Sequence, residues 1–451
     1  MVLVREENKM GTMPIHRLVL NMSLPLIMVM VIQALYNVVD SYFVAKISQE
    51  ALNAVSLSYP IQTLMIAVAV GTGVGVNALV SRMLGAKEYH RANQAARNGI
   101  FLSVMSYGIV GIVLAGFIKP FFCIQTRMPA VIELGSQYLS ICVAASLGLF
   151  TSVMLDRILM STGRTVLAMV GQGVGALVNI IMDPVLIFGV GIFPEMGVRG
   201  AALATVMGQT INAVISLVFN LFMNKDIRLT GERFKPVKSI IKDVYIVGIP
   251  AMLINCIGAG MIFGMNQILI RFTDTAVAVL GIYFKIQNLI FLPALGLNNG
   301  IIPIISYNYG AKNRQRIEST IRFSIKIVVF LMAIGLTAVE LFPHTILSLF
   351  SSSEEMMRIG IRAIRIMGLN FIFAGFSIVV SGVFQALKKG VHSMMFSLIR
   401  QFLLLLPCAF LLSLSGRLEY VWFAFPISEV ATMVICLVCL QGEMKKILVD
   451  E

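Results

Sequence analysis

The chain has 451 residues, of which 58% are hydrophobic and only 13% charged, with a formal net charge of +13. A water-soluble surface needs roughly a quarter to a third charged residues, so most of this exterior faces something other than water. The basic excess lies between apolar runs and forms no patch interleaved with stacking aromatics, which argues against a nucleic-acid partner and for the lipid bilayer.

Apolar runs near the ~20 residues that a spanning helix requires recur along the chain. They fall at Leu18–Val44, Val55–Leu79, Gly99–Ile118, Gln137–Ile158, Val166–Val190, Val198–Phe222, Tyr245–Ile270, Val277–Ile305, Ile325–Phe342, Gly360–Ala386, Phe396–Leu412 and Val421–Leu440. Backbone groups in lipid must be paired internally, which leaves helices or closed barrels. The runs are long and continuous rather than alternating, so the expected class is all-α and integral to the membrane, with twelve spans. The first run is too long for a cleavable signal and is expected to remain. An even count places both termini on one side. Loops on that side collect about 24 Lys and Arg against about nine opposite, which predicts cytoplasmic termini in a multi-pass cell (inner) membrane protein.

The chain repeats itself at an offset of about 225 residues. Pro25 matches Pro250, Ile61-Gln62 matches Ile286-Gln287, and Ala69, Gly71, Gly75 and Ser81 match Ala294, Gly296, Gly300 and Ser306. Gly85-Ala86-Lys87 matches Gly310-Ala311-Lys312, followed by Arg91 with Arg316 and Arg97 with Arg322. Apolar similarity alone does not align Gln, Lys and Arg without a gap. Each half holds six spans, so the halves enter the membrane in the same direction, about an axis along its normal. The expected organisation is a lobe over 1–222, a polar cytoplasmic linker over 223–243 containing Asn224-Lys225-Asp226 and Gly231-Glu232-Arg233, and a lobe over 244–451.

Ionisable groups in a bilayer are costly and mark candidate function. Asp40 lies near the outer end of the first span, with Asn37 on its face and Gln33 a turn earlier. Asp183 lies near the outer end of the fifth, with Asn179 four residues before it. The sixth span enters from outside, so Thr205 and Gln209 reach a similar depth. Two carboxylates with amides and a hydroxyl suit retention of a proton or capture of a small cation; each Asp is also compatible with simple hydrogen-bonded packing. The second half is no chemical copy: Met265 stands where Asp40 would, while Lys285, Arg400 and Glu429 lie in apolar runs, either as a structural ion pair or in substrate coupling. Pro25 and Pro184 are candidate hinges, since proline removes a backbone bond and permits a bend.

Other patterns read as packing. Gly71-Thr72-Gly73-Val74-Gly75 and Gly171-Gln172-Gly173-Val174-Gly175 lie in membrane spans, where small residues allow close approach, and follow no strand as a dinucleotide loop would. Cys436 and Cys439 pair only by spacing. There is no Walker A sequence, no His-Glu-x-x-His motif and no Gly-x-Ser-x-Gly elbow. No enzyme activity and no cofactor are expected.

Taken together, Ser23-Leu24-Pro25, Tyr36-Asn37-Val38-Val39-Asp40, Leu84-Gly85-Ala86-Lys87, Asn179-Ile180-Ile181-Met182-Asp183-Pro184 with Ile187-Phe188-Gly189, and Gly200-Ala201-Ala202 resemble the multidrug and toxic compound extrusion (MATE) family over nearly the whole chain. One branch of that family carries an acid in helix seven and another in helix ten. Gly258-Ala259-Gly260 and the absence of a buried acid in helix ten point instead to the DinF/MepA-like branch. The resemblance implies a V-shaped fold, alternating access, and efflux of organic-cation drugs or dyes in exchange for H⁺ or Na⁺. It further implies a coupling site at Asp40, Asn179, Asp183 and Thr205, which would also hold Na⁺, and a monomer is sufficient. The alternative within the same architecture is a lipid-linked saccharide flippase, which would need a basic cavity.

Overall fold

The computed structural model describes residues 7–230, 234–350 and 353–449. Among these, ten helices are long and apolar enough to cross a membrane, and two bent pairs complete the expected twelve passes. In chain order they are α1 (Ile15–Ala45), α2 (Gln49–Gly85), α3 (Tyr89–Ala115), α4 (Pro129–Ala144 and Leu147–Ser161, bent by 47°), α5 (Thr165–Phe188) and α6 (Val198–Met223). The second lobe has α7 (Lys238–Leu269), α8 (Asp274–Gly310), α9 (Arg314–Leu341), α10 (Glu354–Gly368 and Phe371–Ala386, bent by 46°), α11 (Gly390–Ser413) and α12 (Leu418–Lys446).

The repeat holds to the level of single hydrogen bonds. α2 starts where Ser48 Oγ accepts from the Ala51 amide, and α8 where Thr273 Oγ1 accepts from the Thr275 amide. Both side chains satisfy amides that a helix start leaves without a partner. Both helices end in left-handed lysines, Lys87 at φ 61° and Lys312 at φ 55°, closed by Glu88 N–H to Met83 O at 2.9 Å and Asn313 N–H to Asn308 O at 2.9 Å. Ser81 Oγ donates to the Ser161 carbonyl at 2.9 Å, and Ser306 Oγ to that of Ala386 at 3.0 Å. α2 and α8 extend beyond the apolar runs read from the sequence because these caps lie outside the hydrophobic stretch.

The lobes meet where α1 crosses α8 and α2 crosses α7, on the side that carries the termini. Small residues decide the approach. A Cβ on Gly71 would lie 2.9 Å from the Gly248 carbonyl, and one on Gly75 would lie 2.2 Å from that of Val244. Gly296 and Gly300 pack likewise on Ile27 and Ser23. At the terminal-side rim Asp243 of α7 is held by Lys388 at 2.7 Å and by Arg82 of α2 at 3.7 Å. The segment before α1 bridges both lobes: Asn8 Nδ2 donates to the Thr162 carbonyl at 3.0 Å, while Arg316 Nη2 donates to the carbonyls of Met10 at 3.0 Å and Met13 at 2.7 Å. Of the linker, Asp226 pairs with Arg164 at 3.5 Å and the Val237 amide donates to Asn98 Oδ1 at 3.0 Å. Gly231-Glu232-Arg233 lies outside the described residues.

Candidate functional site: an acidic cluster in the first lobe

Asp183 is 0% exposed and Asn179 3%; they stand one turn apart on the inward face of α5. Asn179 Nδ2 donates to Thr205 Oγ1 of α6 at 3.4 Å, so the predicted meeting of α5 and α6 occurs. Its basis is close packing of these helices: a Cβ on Gly175 would meet the Gly208 carbonyl at 2.6 Å, and one on Gly208 the Gly175 carbonyl at 2.5 Å. Asp40, half-buried on α1, lies within electrostatic reach of Asp183. It also lies within reach of Tyr36 on its own helix and of Tyr138 and Cys142 on α4. Gln62 Nε2 of α2 donates to Tyr138 Oη at 3.0 Å.

Both carboxylate oxygens of Asp183, Oδ1 of Asp40 and Oδ1 of Asn179 are buried without a hydrogen-bond donor among the described residues. Leaving an ionised carboxylate in such surroundings is far costlier than a typical hydrogen bond is favourable. A positive partner would offset that cost. The cluster's donor set of carboxylate, amide and hydroxyl oxygens is hard and small, which fits H⁺ or a monovalent cation such as Na⁺.

The other expected residues divide. Gln33 and Asn37 are exposed, and the Asn37 carbonyl accepts Ser41 Oγ at 2.8 Å. Gln209 is half-buried and makes no hydrogen bond to either acid. In the second lobe Arg400 Nη1 meets Glu429 Oε1 at 3.2 Å, but Lys285 is exposed and stands outside that pair. Pro25 leaves the Asn21 carbonyl without its helical donor, and Thr165 Oγ1 approaches that oxygen at 3.4 Å. Pro184 lies within α5 directly after Asp183, and the helix runs on to Phe188.

The MatE family model matches the chain twice, over residues 25–185 and again over 250–411. The chain belongs to the MatE family. The two matched stretches lie in the two lobes and follow the repeat already seen in Pro25 and Pro250. A multidrug export protein MepA from Staphylococcus haemolyticus is 25% identical over 410 residues, spanning 90% of this chain and 89% of that protein. A protein of Shewanella oneidensis named FAD transporter is 24% identical over 434 residues, spanning 96% of each. Among solved structures, an outward-facing multidrug resistance MATE transporter superimposes with a TM-score of 0.91 at 23% identity, covering 98% of this chain and 99% of that one.

For a MatE chain the asymmetry of the lobes is instructive. Positions 225 before Arg400 and Glu429 are Gly175 and Ala204, small residues at the tight α5–α6 contact. The second lobe separates the equivalent helices with an ion pair, and α11 widens into a π-helical turn over Ile399–Leu405 there. Two features escape the sequence reading above. The Gln62–Tyr138 bond joins residues 76 apart on different helices, for which no local signal exists. Asp156 and Arg157, buried in α4 at 4% and 8% exposure, were open to the same intramembrane-charge argument that flagged Asp40.

Proposed function

We propose that this MatE protein is a secondary active exporter of bulky organic cations, exchanging them for inward H⁺ or Na⁺ by alternating access. One observation carries the reading: two carboxylates in the first lobe, Asp40 through Oδ1 and Asp183 through both oxygens, are buried without a hydrogen-bond donor among the described residues. Asn179 and Thr205 complete the site. With both acids ionised, the first lobe attracts a cationic cargo. Entry of H⁺ or Na⁺ neutralises the site and releases it. Removing one unit charge at about 6 Å, in an effective dielectric of about 20, weakens cargo binding by about 3 kcal/mol, roughly a hundredfold. Coupling follows because the ion and the cargo compete for the same negative charge and prefer different states.

In this reading the lobes act as rigid halves, the termini and the 223–243 linker lie in the cytoplasm, Pro25 and Pro184 supply the bending points, and one chain suffices. The names of the MepA relatives support drug export as the activity. A flippase for a lipid-linked saccharide would want a basic site for its pyrophosphate, whereas the first lobe presents carboxylates.

The test is transport in proteoliposomes holding the purified protein, with a pH or Na⁺ gradient imposed separately and a panel of fluorescent organic cations as cargo. Cation movement driven by one of the gradients is expected. No movement under either gradient, with the protein folded and reconstituted, would overturn the proposal.

A further inference from the structure

Asp156 and Arg157 are neighbours on the inner segment of α4, and they reach in different directions. Asp156 accepts from Ser216 Oγ at 2.6 Å and from Asn212 Nδ2 at 3.1 Å, both on α6. Arg157 Nη1 crosses to the other lobe and donates to Asn299 Oδ1 of α8 at 3.0 Å. The passage depends on Gly73 of α2, where a Cβ would lie 2.8 Å from Arg157 Cγ. This crossing is not duplicated. The repeat places Gly382 opposite Arg157 and Asn298 opposite Gly73, so the large and small partners have changed places in the second lobe.

Asn299 is a soft point of α8. It stands four residues before Pro303, which has no amide hydrogen to give its carbonyl. A guanidinium buried this deeply needs hydrogen-bond partners in every state it visits. Its partner here belongs to the opposite lobe, so any motion that separates the lobes on this side must break the bond. Asp156 stands beside it on the same helix, and its bonds to α6 lie within the first lobe, so separating the lobes does not require breaking them.

We propose that Arg157 is a positioning residue of the transport cycle, an interlobe latch. Its bond to Asn299 holds the state closed on the terminal side, and Asp156 ties it to α6. The inference rests on the transport reading above and deepens it. Thr205 of the cation site precedes Asn212 by seven residues, about two helical turns on the same face of α6. Site and latch therefore share one rigid element. A change in how α6 sits against α5 on cation capture moves the anchor of Asp156 and, with it, the aim of Arg157.

The experiment uses the full-length protein in lipid nanodiscs without an ion gradient. Spin labels are placed at the exposed positions 91 and 322 of a cysteine-free background, and the distance between lobes is measured by double electron–electron resonance. Asn299→Leu removes the acceptor and should shift the distribution toward longer distances. Asn299→Asp sets a carboxylate against Arg157 and should narrow the distribution at the closed distance. In proteoliposomes, measured separately, it should also slow gradient-driven turnover at least fivefold at unchanged apparent KM. A residue that only packs the core would move stability but not split turnover from KM in this way. Wild-type distributions in both Asn299 variants, or shifts of the opposite sign, would overturn the latch. Neither variant alters Asp40 or Asp183, and distances are read without transport. Failure of the latch is thus distinguishable from failure of ion coupling, which would appear as full transport in the Asp40→Asn and Asp183→Asn proteins.

Discussion

The backbone carbonyl of Tyr307 lies 1.8 Å from where a Cβ on Gly85 would be, and 225 residues on, the carbonyl of Arg82 lies 1.9 Å from where a Cβ on Gly310 would be. The two contacts are images of each other about the pseudo-twofold axis. They bring the ends of α2 and α8 into backbone contact that any side chain would prevent. Gly85→Ala or Gly310→Ala should therefore destabilise the closed arrangement by about 3 kcal/mol or more, because a carbonyl cannot rotate away as a side chain does. The midpoint of thermal unfolding in detergent reads this directly. Gly258→Ala is the control: nothing lies within 4 Å of its Cβ position, so that midpoint should hold or rise.

Asp40→Asn and Asp183→Asn keep the size of each side chain and remove its charge. Each should lower gradient-driven efflux of an organic cation by at least about tenfold, the equivalent of roughly 1.4 kcal/mol of lost differential binding. Expression and the unfolding midpoint should be unchanged or improved, since a buried unpartnered charge is removed. Efflux at the wild-type rate in both proteins would refute the assignment of these acids to coupling. Thr205→Val, which deletes the hydroxyl that accepts from Asn179, should show a smaller loss in the same assay.

The Arg400–Glu429 pair makes a separate prediction about stability. Glu429 is 6% exposed, and its Oε2 has no donor among the described residues. Glu429→Ala strands the Arg400 guanidinium between α11 and α12 and should cost about 3 kcal/mol, the lower end of the buried-pair range because Arg400 is only half-buried. The double variant Arg400→Met, Glu429→Leu removes both charges and should recover most of that loss. A double variant no more stable than Glu429→Ala would show that the pair does more than balance charge.

Arg316 ties the segment before α1 to the second lobe through the carbonyls of Met10 and Met13, and its Nε also donates to Asn308 Oδ1 at 3.2 Å. Arg316→Gln should release that segment at a cost of about 2 kcal/mol, as charge-assisted bonds to two carbonyls are lost. Limited proteolysis checks it: cleavage before Ile15 should accelerate several-fold while the helical bundle stays intact. Unchanged cleavage would mean that Asn8 and Asn308 suffice to hold the segment.

Much of the architecture was legible before any coordinates. Membrane residence and the twelve passes follow from apolar runs, and the 225-residue repeat from aligned Gln, Gly, Lys and Arg; the left-handed lysines Lys87 and Lys312 fall on matched positions of that repeat. The approach of Asn179 to Thr205 was legible too, because Asp183, Asn179 and Thr205 are polar residues at similar depth in neighbouring apolar runs. Asn37 and Asp40 differ in burial because three residues turn a helix about 300°, which leaves their side chains some 60° apart in rotation, enough for one to be exposed and the other half-buried. Lys285 was grouped with Arg400 and Glu429 on composition alone, which carries no information on the rotation of α8 about its axis.

The division has a physical cause. Transfer of apolar side chains into lipid and fixed repeat spacing are local properties, so the residues by themselves determined the spans and the duplicated scaffold, while the helix ends of α2 and α8 fall at caps outside the apolar runs. Which polar groups meet across helices was decided only in the tertiary structure. The Asn179–Thr205 and Gln62–Tyr138 bonds and the reach of Arg157 to Asn299 all require particular helix rotations and clearances. Those are set by glycines such as Gly73, Gly175 and Gly208, which act on partners dozens of residues away.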